Sequence, residues 1–239
     1  MTKPSADQNS QPPQATISGE QTAQPQPPDV EREPFSKHCT QSEFIDWVDE
    51  WLQQKATLDD SASLLKRNRH DKRIYEEALP IYYYVRRQYR DRNDIKIELP
   101  NSTPNFDAKI LHSDGTLIEH VEVTIPFAPT DHLERSQLGA GLTVADCYGS
   151  FETYNLDESV RLVDTAISKK LAKPYPAPTV LLVVLPPGLV TEDDDERFNQ
   201  ILTTLQPIPS TSQFRPIWVM ECGGAFWMEL STSSTGTSV

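Results

Sequence analysis

The sequence predicts an α/β domain with a mixed central sheet flanked by helices. Three observations carry this. Apolar residues recur at helical spacing from Ile74 to Tyr89, and from Ile95 to Ile125 the period changes to alternation. A second helical stripe, Leu156 to Leu171, leads into Pro178–Leu185 (PTVLLVVL), a continuous apolar run of the kind that fills a strand buried on both faces. The chain has 239 residues, enough for one sizeable core.

Residues 1–34 hold seven prolines and six glutamines and no aromatic side chain. Such a segment cannot bury enough apolar area to offset the entropy of ordering, so it reads as a disordered tail, as does 231–239 at the other end. An N-terminal helical segment is expected over 35–70. There Thr40 and Glu43 fit a capping box ahead of Phe44, Trp47, Val48 and Leu52. The main domain is expected over 71–230. Its first helix presents Ile74, Ala78, Ile81, Val85 and Tyr89 on one stripe, with Pro80 opposite and expected to kink it. Three strands follow, Ile95–Leu99, Asn105–His112 and Leu117–Ile125, and then a glycine-punctuated loop. The helix with stripe Leu156, Val160, Val163, Ile167 and Leu171 precedes the central strand. A short helix over 194–205 and a strand pair around Gly223-Gly224 close the chain.

The formal net charge of −13 argues against a non-specific nucleic-acid coat, which needs basic surface to displace counterions. It is compatible with a nuclease whose bound metal and local basic patch offset the field at the site. A basic cluster, Lys66, Arg67, Arg69, Lys72 and Arg73, with Arg86 and Arg87 further on, offers such a patch, or is solvated surface. The N-terminus lacks the basic and apolar blocks of a signal peptide, and no apolar run is long enough to cross a membrane. Cys39, Cys147 and Cys222 are far apart and form no CxxC pair, which suits a reducing cytoplasm. Cys39 beside His38 reads as an ordinary neighbour pair in preference to a metal site.

Asp114-Gly115 is a strong hairpin signal between the second and third strands. A two-residue turn there places Asp107 opposite Glu122, Lys109 opposite His120 and Asn105 opposite Thr124, all on one face. Phe106, Ala108, Ile110, Val121 and Val123 would line the other, apolar face. Glu119 falls on that apolar face near the turn, where it is expected to escape to solvent. Carboxylates directly opposite have Cβ atoms roughly 4.5–5.5 Å apart and repel. A hard divalent cation would relieve this, since Mg²⁺ is commonly held by one or two carboxylates with waters and phosphate oxygens. The alternative is the solvated face of an amphipathic hairpin, its repulsion softened by Lys109 and His120.

This arrangement resembles the PD-(D/E)XK nuclease superfamily, whose restriction-endonuclease-like core runs αβββαβ. In that family an Asp opens the second core strand, and a Glu followed two residues later by Lys lies on the third. Here Pro104-Asn105-Phe106-Asp107 supplies the Asp, and Glu122-Val123-Thr124 stands in place of Glu-x-Lys; the resemblance covers roughly residues 71–186. It implies a metal site for Mg²⁺ (or Mn²⁺) on Asp107 and Glu122, with the Val123 carbonyl as a third oxygen. Thr124 departs from the pattern, because the family's lysine orients or activates water and stabilises phosphate charge. Some members carry that lysine on the following helix, which here offers Lys169, Lys170 and Lys173. Lys170 falls about 65° from the centre of the apolar stripe and is the better placed to reach back over the sheet, while Lys169 points outward. These lysines also suit a helix C-terminus as last-turn cations, and Lys109 is a rival. Many members add an acidic residue from the first helix. Glu77 lies beside the apolar stripe and Glu76 points away, a pattern that also fits a solvated face.

Two functional expectations follow. One is a metal-dependent nuclease that cleaves phosphodiester bonds of DNA or RNA through Asp107, Glu122, Lys170 and Glu77. The other is a catalytically inactive PD-(D/E)XK-like domain serving as a binding module, favoured by the missing motif lysine, the acidic balance and the tail.

Overall fold

The computed structural model describes residues 38–57, 73–100, 105–127, 154–186, 189–190, 194–205, 208 and 212–230. Both predicted tails, the glycine-punctuated loop, Cys147, Pro104 and the basic residues Lys66, Arg67, Arg69 and Lys72 lie outside the described residues. In chain order the elements are β1 (His38–Thr40), α1 (Gln41–Thr57), a π-helical turn (Ile74–Ala78) that runs into α2 (Leu79–Gln88), β2 (Ile95–Glu98), β3 (Ala108–His112), β4 (Leu117–Thr124), α3 (Leu156–Leu171), β5 (Thr179–Leu185), α4 (Asp195–Thr204), β6 (Phe214–Glu221) and β7 (Trp227–Glu229). All belong to one unit, Arg32–Val239.

The seven strands form one sheet in the order of the chain. β4, β5 and β6 run parallel and every other pairing is antiparallel, so the sheet is mixed, as expected. All seven residues of β5 are buried. Alternation along β5 divides the core in two. Val180, Leu182 and Val184 pack with α1, the π turn and α2, while Leu181, Val183 and Leu185 pack with α3 and α4.

Local signals explain several element ends. The capping box forms: Glu43 N–H donates to Thr40 Oγ1 at 3.3 Å, and Thr40 N–H donates to Glu43 Oε2 at 2.7 Å. Asn155 caps α3 by accepting from Glu158 N–H, and Asp194 caps α4 by accepting from Arg197 N–H. Gly224 at φ 75° turns β6 into β7. The predicted stripe Ile74, Ala78, Ile81, Val85 and Tyr89 is buried throughout.

Pro80 does disturb its helix, but not as expected. It is buried, and the disturbance precedes it as the π turn, where Leu79 N–H donates to Ile74 O. Proline has no N–H and its ring excludes the carbonyl four residues back, so the ladder widens by one residue before it. The edge strand β1 was not anticipated. It has three residues, too few to show alternation, and it pairs His38 with Glu98 and Thr40 with Lys96.

The hairpin departs from expectation near its tip. The loop is Ser113–Gly115, closed by His112 N–H on Thr116 O at 2.8 Å, with Asp114 Oδ1 accepting from Thr116 N–H. That side-chain bond stabilises a three-residue loop with Gly115 at φ 89°. Leu111 then faces Leu117 and Ile110 faces Glu119, so Ile118 is a bulged extra residue. The bulge cancels the slip. Beyond it Lys109 faces His120 and Ala108 faces Val121, the register the two-residue turn required.

Candidate metal and phosphate site

β4 lies beside the buried β5, with Glu122 next to Leu181 on the side of the sheet that α3 covers. A carboxylate here is costly unless paired. Glu122 is buried and its Oε1 accepts from two donors, the Lys170 ammonium and the Tyr175 hydroxyl, the latter at 3.1 Å. Lys170 comes from the last turn of α3. Ser159, Leu162, Val163 and Ile167 are the buried residues of that helix, and Lys170 continues their line toward the sheet. Lys169 is exposed.

Asp107 stands immediately before β3. Its N–H donates to Val121 O at 2.8 Å, and its Oδ2 accepts from Val123 N–H at 2.7 Å. Burial pushes the Asp107 carboxyl up to about 7, and the Glu122 charge adds to this; the Val123 N–H opposes it, Glu77 raises it further and Lys170 lowers it. Asp107 therefore responds to all three of the other side chains expected in the site. Glu77 sits in the π turn and pairs with Arg73, Nε to Oε2 2.8 Å, while Arg73 also donates to Pro100 O.

Several finer expectations are corrected. β3 begins at Ala108, so Asn105–Asp107 form a bend and Asn105 does not pair with Thr124. Asn105 Nδ2 instead donates to Pro174 O at 3.2 Å. Because alternation stops there, Phe106 leaves the apolar face and lies against His120, ring centroids 4.4 Å apart. Neither Lys109 nor His120 softens the carboxylate repulsion. Lys109 Nζ is held by Glu98 Oε1 at 3.0 Å, and burial pushes the His120 imidazole below its usual value. Glu119 does not escape to solvent; its Oε1 accepts from the Tyr84 and Tyr89 hydroxyls at 2.6 and 2.7 Å, and burial pushes its carboxyl up. Cys39 donates to Ile97 O, and burial pushes its thiol up to about 12.

Sequence reasoning missed Tyr175. It lies in Lys-Pro-Tyr-Pro-Ala-Pro, between α3 and β5, where periodicity assigns no face. The available signal was a lone aromatic residue fenced by prolines directly before the central strand. Burial and the neighbouring Glu122 charge push its hydroxyl well above the usual tyrosine value, so it remains a donor.

Chemically, the site offers two adjacent carboxylates, one ammonium and one phenol. Among the described residues no group of three or more His, Cys, Asp and Glu side chains is placed to hold a metal ion. The oxygen-only donors of Asp107 and Glu122, with Asp107 raised by burial and by the neighbouring Glu122 charge, are of the type that suits one hard divalent cation taking its remaining ligands from water or substrate. No helix among the described residues is long and apolar enough to cross a membrane. No protein-family model, no curated protein and no solved structure matches the chain.

Proposed function

We propose that this chain is a metal-dependent phosphodiesterase of PD-(D/E)XK type that cleaves DNA or RNA, with Asp107 and Glu122 as the ligands of Mg²⁺ or Mn²⁺. The observation that carries the reading is the Lys170 ammonium on Glu122, next to Asp107. It brings to the carboxylate pair, from the following helix, the positive charge that Thr124 lacks. The element order supports the same reading, since α2, β2, β3, β4, α3 and β5 run αβββαβ.

When bound, the cation would act as a Lewis acid on the phosphate and lower the pKa of an attacking water. The chain's own residues divide the remaining work. Asp107 and Glu122 hold oxygens at the meeting of β3 and β4, and the Val123 carbonyl would supply the third oxygen. Lys170 can turn from Glu122 to a phosphate oxygen as negative charge grows there. Glu77, tethered by Arg73, adds negative potential at Asp107 and so favours a cation at the pair.

A binding module is the second reading, favoured because no group of three or more carboxylate, histidine and cysteine side chains among the described residues is placed to hold a metal ion. One experiment separates the two. Mn²⁺ binding is measured together with cleavage of single- and double-stranded DNA and RNA, using wild type and Glu122→Gln. Binding and cleavage that both fall in the variant are expected. Binding without cleavage would favour the module, and neither binding nor cleavage by wild type would refute the enzyme.

A further inference from the structure

The Lys173–Pro178 segment crosses the sheet margin beside the carboxylates and is pinned on three sides. Tyr175 N–H donates to Gln213 Oε1 at 3.1 Å, and Gln213 Nε2 donates back to Lys173 O. Asn105, two residues before Asp107, donates to Pro174 O, and His120 N–H donates to Pro178 O at 2.9 Å. The Tyr175 ring lies against Phe214, with centroids 4.7 Å apart. The ring is thus fixed by packing and its backbone by hydrogen bonds, and only the hydroxyl addresses the site. That hydroxyl donates to Glu122 Oε1, the oxygen that also receives Lys170, whereas no donor among the described residues reaches Oε2.

We propose that Tyr175 is a positioning residue that holds the Glu122 carboxylate by Oε1 and keeps Oε2 free for a divalent cation. The proposal rests on the metal-dependent reading above and adds a division of labour to it. As Lys170 shifts toward a phosphate oxygen, its hold on Glu122 loosens. With Tyr175 in place, the carboxylate keeps a fixed orientation after Lys170 turns away. A hydrogen bond to an ionised group from a preorganised donor suits this task, and outer partners of metal-ligating side chains typically matter about 10–100-fold in metal affinity.

The test is Tyr175→Phe, which keeps the ring on Phe214 and removes only the hydroxyl. Mn²⁺ affinity is read by electron paramagnetic resonance of the free ion, and thermal midpoints are taken on the same samples. A loss of Mn²⁺ affinity of roughly tenfold is expected, with the midpoint changed little. A half-buried, purely structural tyrosine would lower the midpoint and leave the affinity alone, and that result would overturn the proposal while leaving the metal reading intact. The double variant Tyr175→Phe/Lys170→Met adds a second test. If Tyr175 is the holding donor when Lys170 is gone, its hydroxyl should matter more in the Lys170→Met background, and an equal or smaller effect there would also overturn the proposal. Wild type that binds no Mn²⁺ would remove the metal reading and this inference with it.

Discussion

Replacing Lys170 with methionine keeps most of the volume of the side chain and removes the charge, which isolates what the ammonium contributes to the buried carboxylate pair. Breaking a fully buried ion pair by removing one partner costs about 3–5 kcal/mol, because the remaining charge is left in a poorly solvated place. The Lys170 side chain is 20% exposed against 8% for Glu122. Tyr175 would still donate to Oε1, so the expected loss is smaller, about 2–3 kcal/mol at pH 7.5. In a chain of this size each kcal/mol moves the thermal midpoint by about 2–4 °C. The urea midpoint should fall by slightly under about 1 M if the slope is near ~3 kcal/mol/M. Lys169→Met, one residue away on the exposed side, serves as control and should stay within about 0.5 kcal/mol of wild type. A Lys170→Met loss as small as the control would refute the pairing of Lys170 with Glu122 and the catalytic reading built on it.

Other perturbations probe separate parts of the argument. Asp107 has its folded value raised to about 7, so the stability it contributes is fully present below its unfolded value of about 3.9 and is lost as pH rises through 7. Urea midpoints between pH 4 and 8 should therefore decline in wild type and decline less in Asp107→Asn; parallel profiles would show that Asp107 is not perturbed. Gly115→Ala should cost about 1–2 kcal/mol from its left-handed backbone alone, since an added Cβ there meets nothing within 4 Å. Gly224→Ala should cost more, because its Cβ would come 2.7 Å from Tyr83 Cδ1, and equal losses would show that the contact relaxes freely. Thr124→Lys restores the family pattern on β4. With Lys170 already in place, cleavage should change little, and a large gain would mean that Lys170 does not serve as the lysine.

The parts of the molecule that were legible in the sequence are those where one physical signal dominates. The run from Thr179 to Leu185 has no polar side chain after its first residue, and only a strand covered on both faces accommodates that. The stripe from Ile74 to Tyr89 survives an irregular first turn because burial of its five members outweighs the local change from α to π geometry. Legibility failed where short polar contacts compete. Asp114 bonded Thr116 and lengthened the turn, two tyrosine hydroxyls drew Glu119 inward, and Glu98 claimed Lys109. Each such bond contributes about 1 kcal/mol, too little to leave a trace in periodicity but enough to choose among rotamers.

The hairpin joins these two regimes and explains why the register beside Asp107 and Glu122 is the expected one although the turn is not. Shifting a strand by one residue moves every side chain to the opposite face. A three-residue loop followed by regular pairing would have set Ala108 opposite His120 and put Ala108 and Val121 on opposite faces, turning the apolar side chains of one strand out of the core, a loss that no turn preference could offset. The chain instead places its extra residue at Ile118, close to the tip, where the ladder is short and the disturbance is cheap. Burial of the apolar face thus sets the register of Ala108 with Val121 and leaves the loop to adapt. That register sets Asp107, at the foot of β3, beside Glu122 on β4. The same logic places Lys170, because the apolar stripe of α3 must face the sheet, and a lysine on the edge of that stripe has the buried Glu122 within reach. The acidic pair and its cation are positioned by apolar packing, so changes that preserve the core should preserve the geometry of the site even where they alter the loops around it.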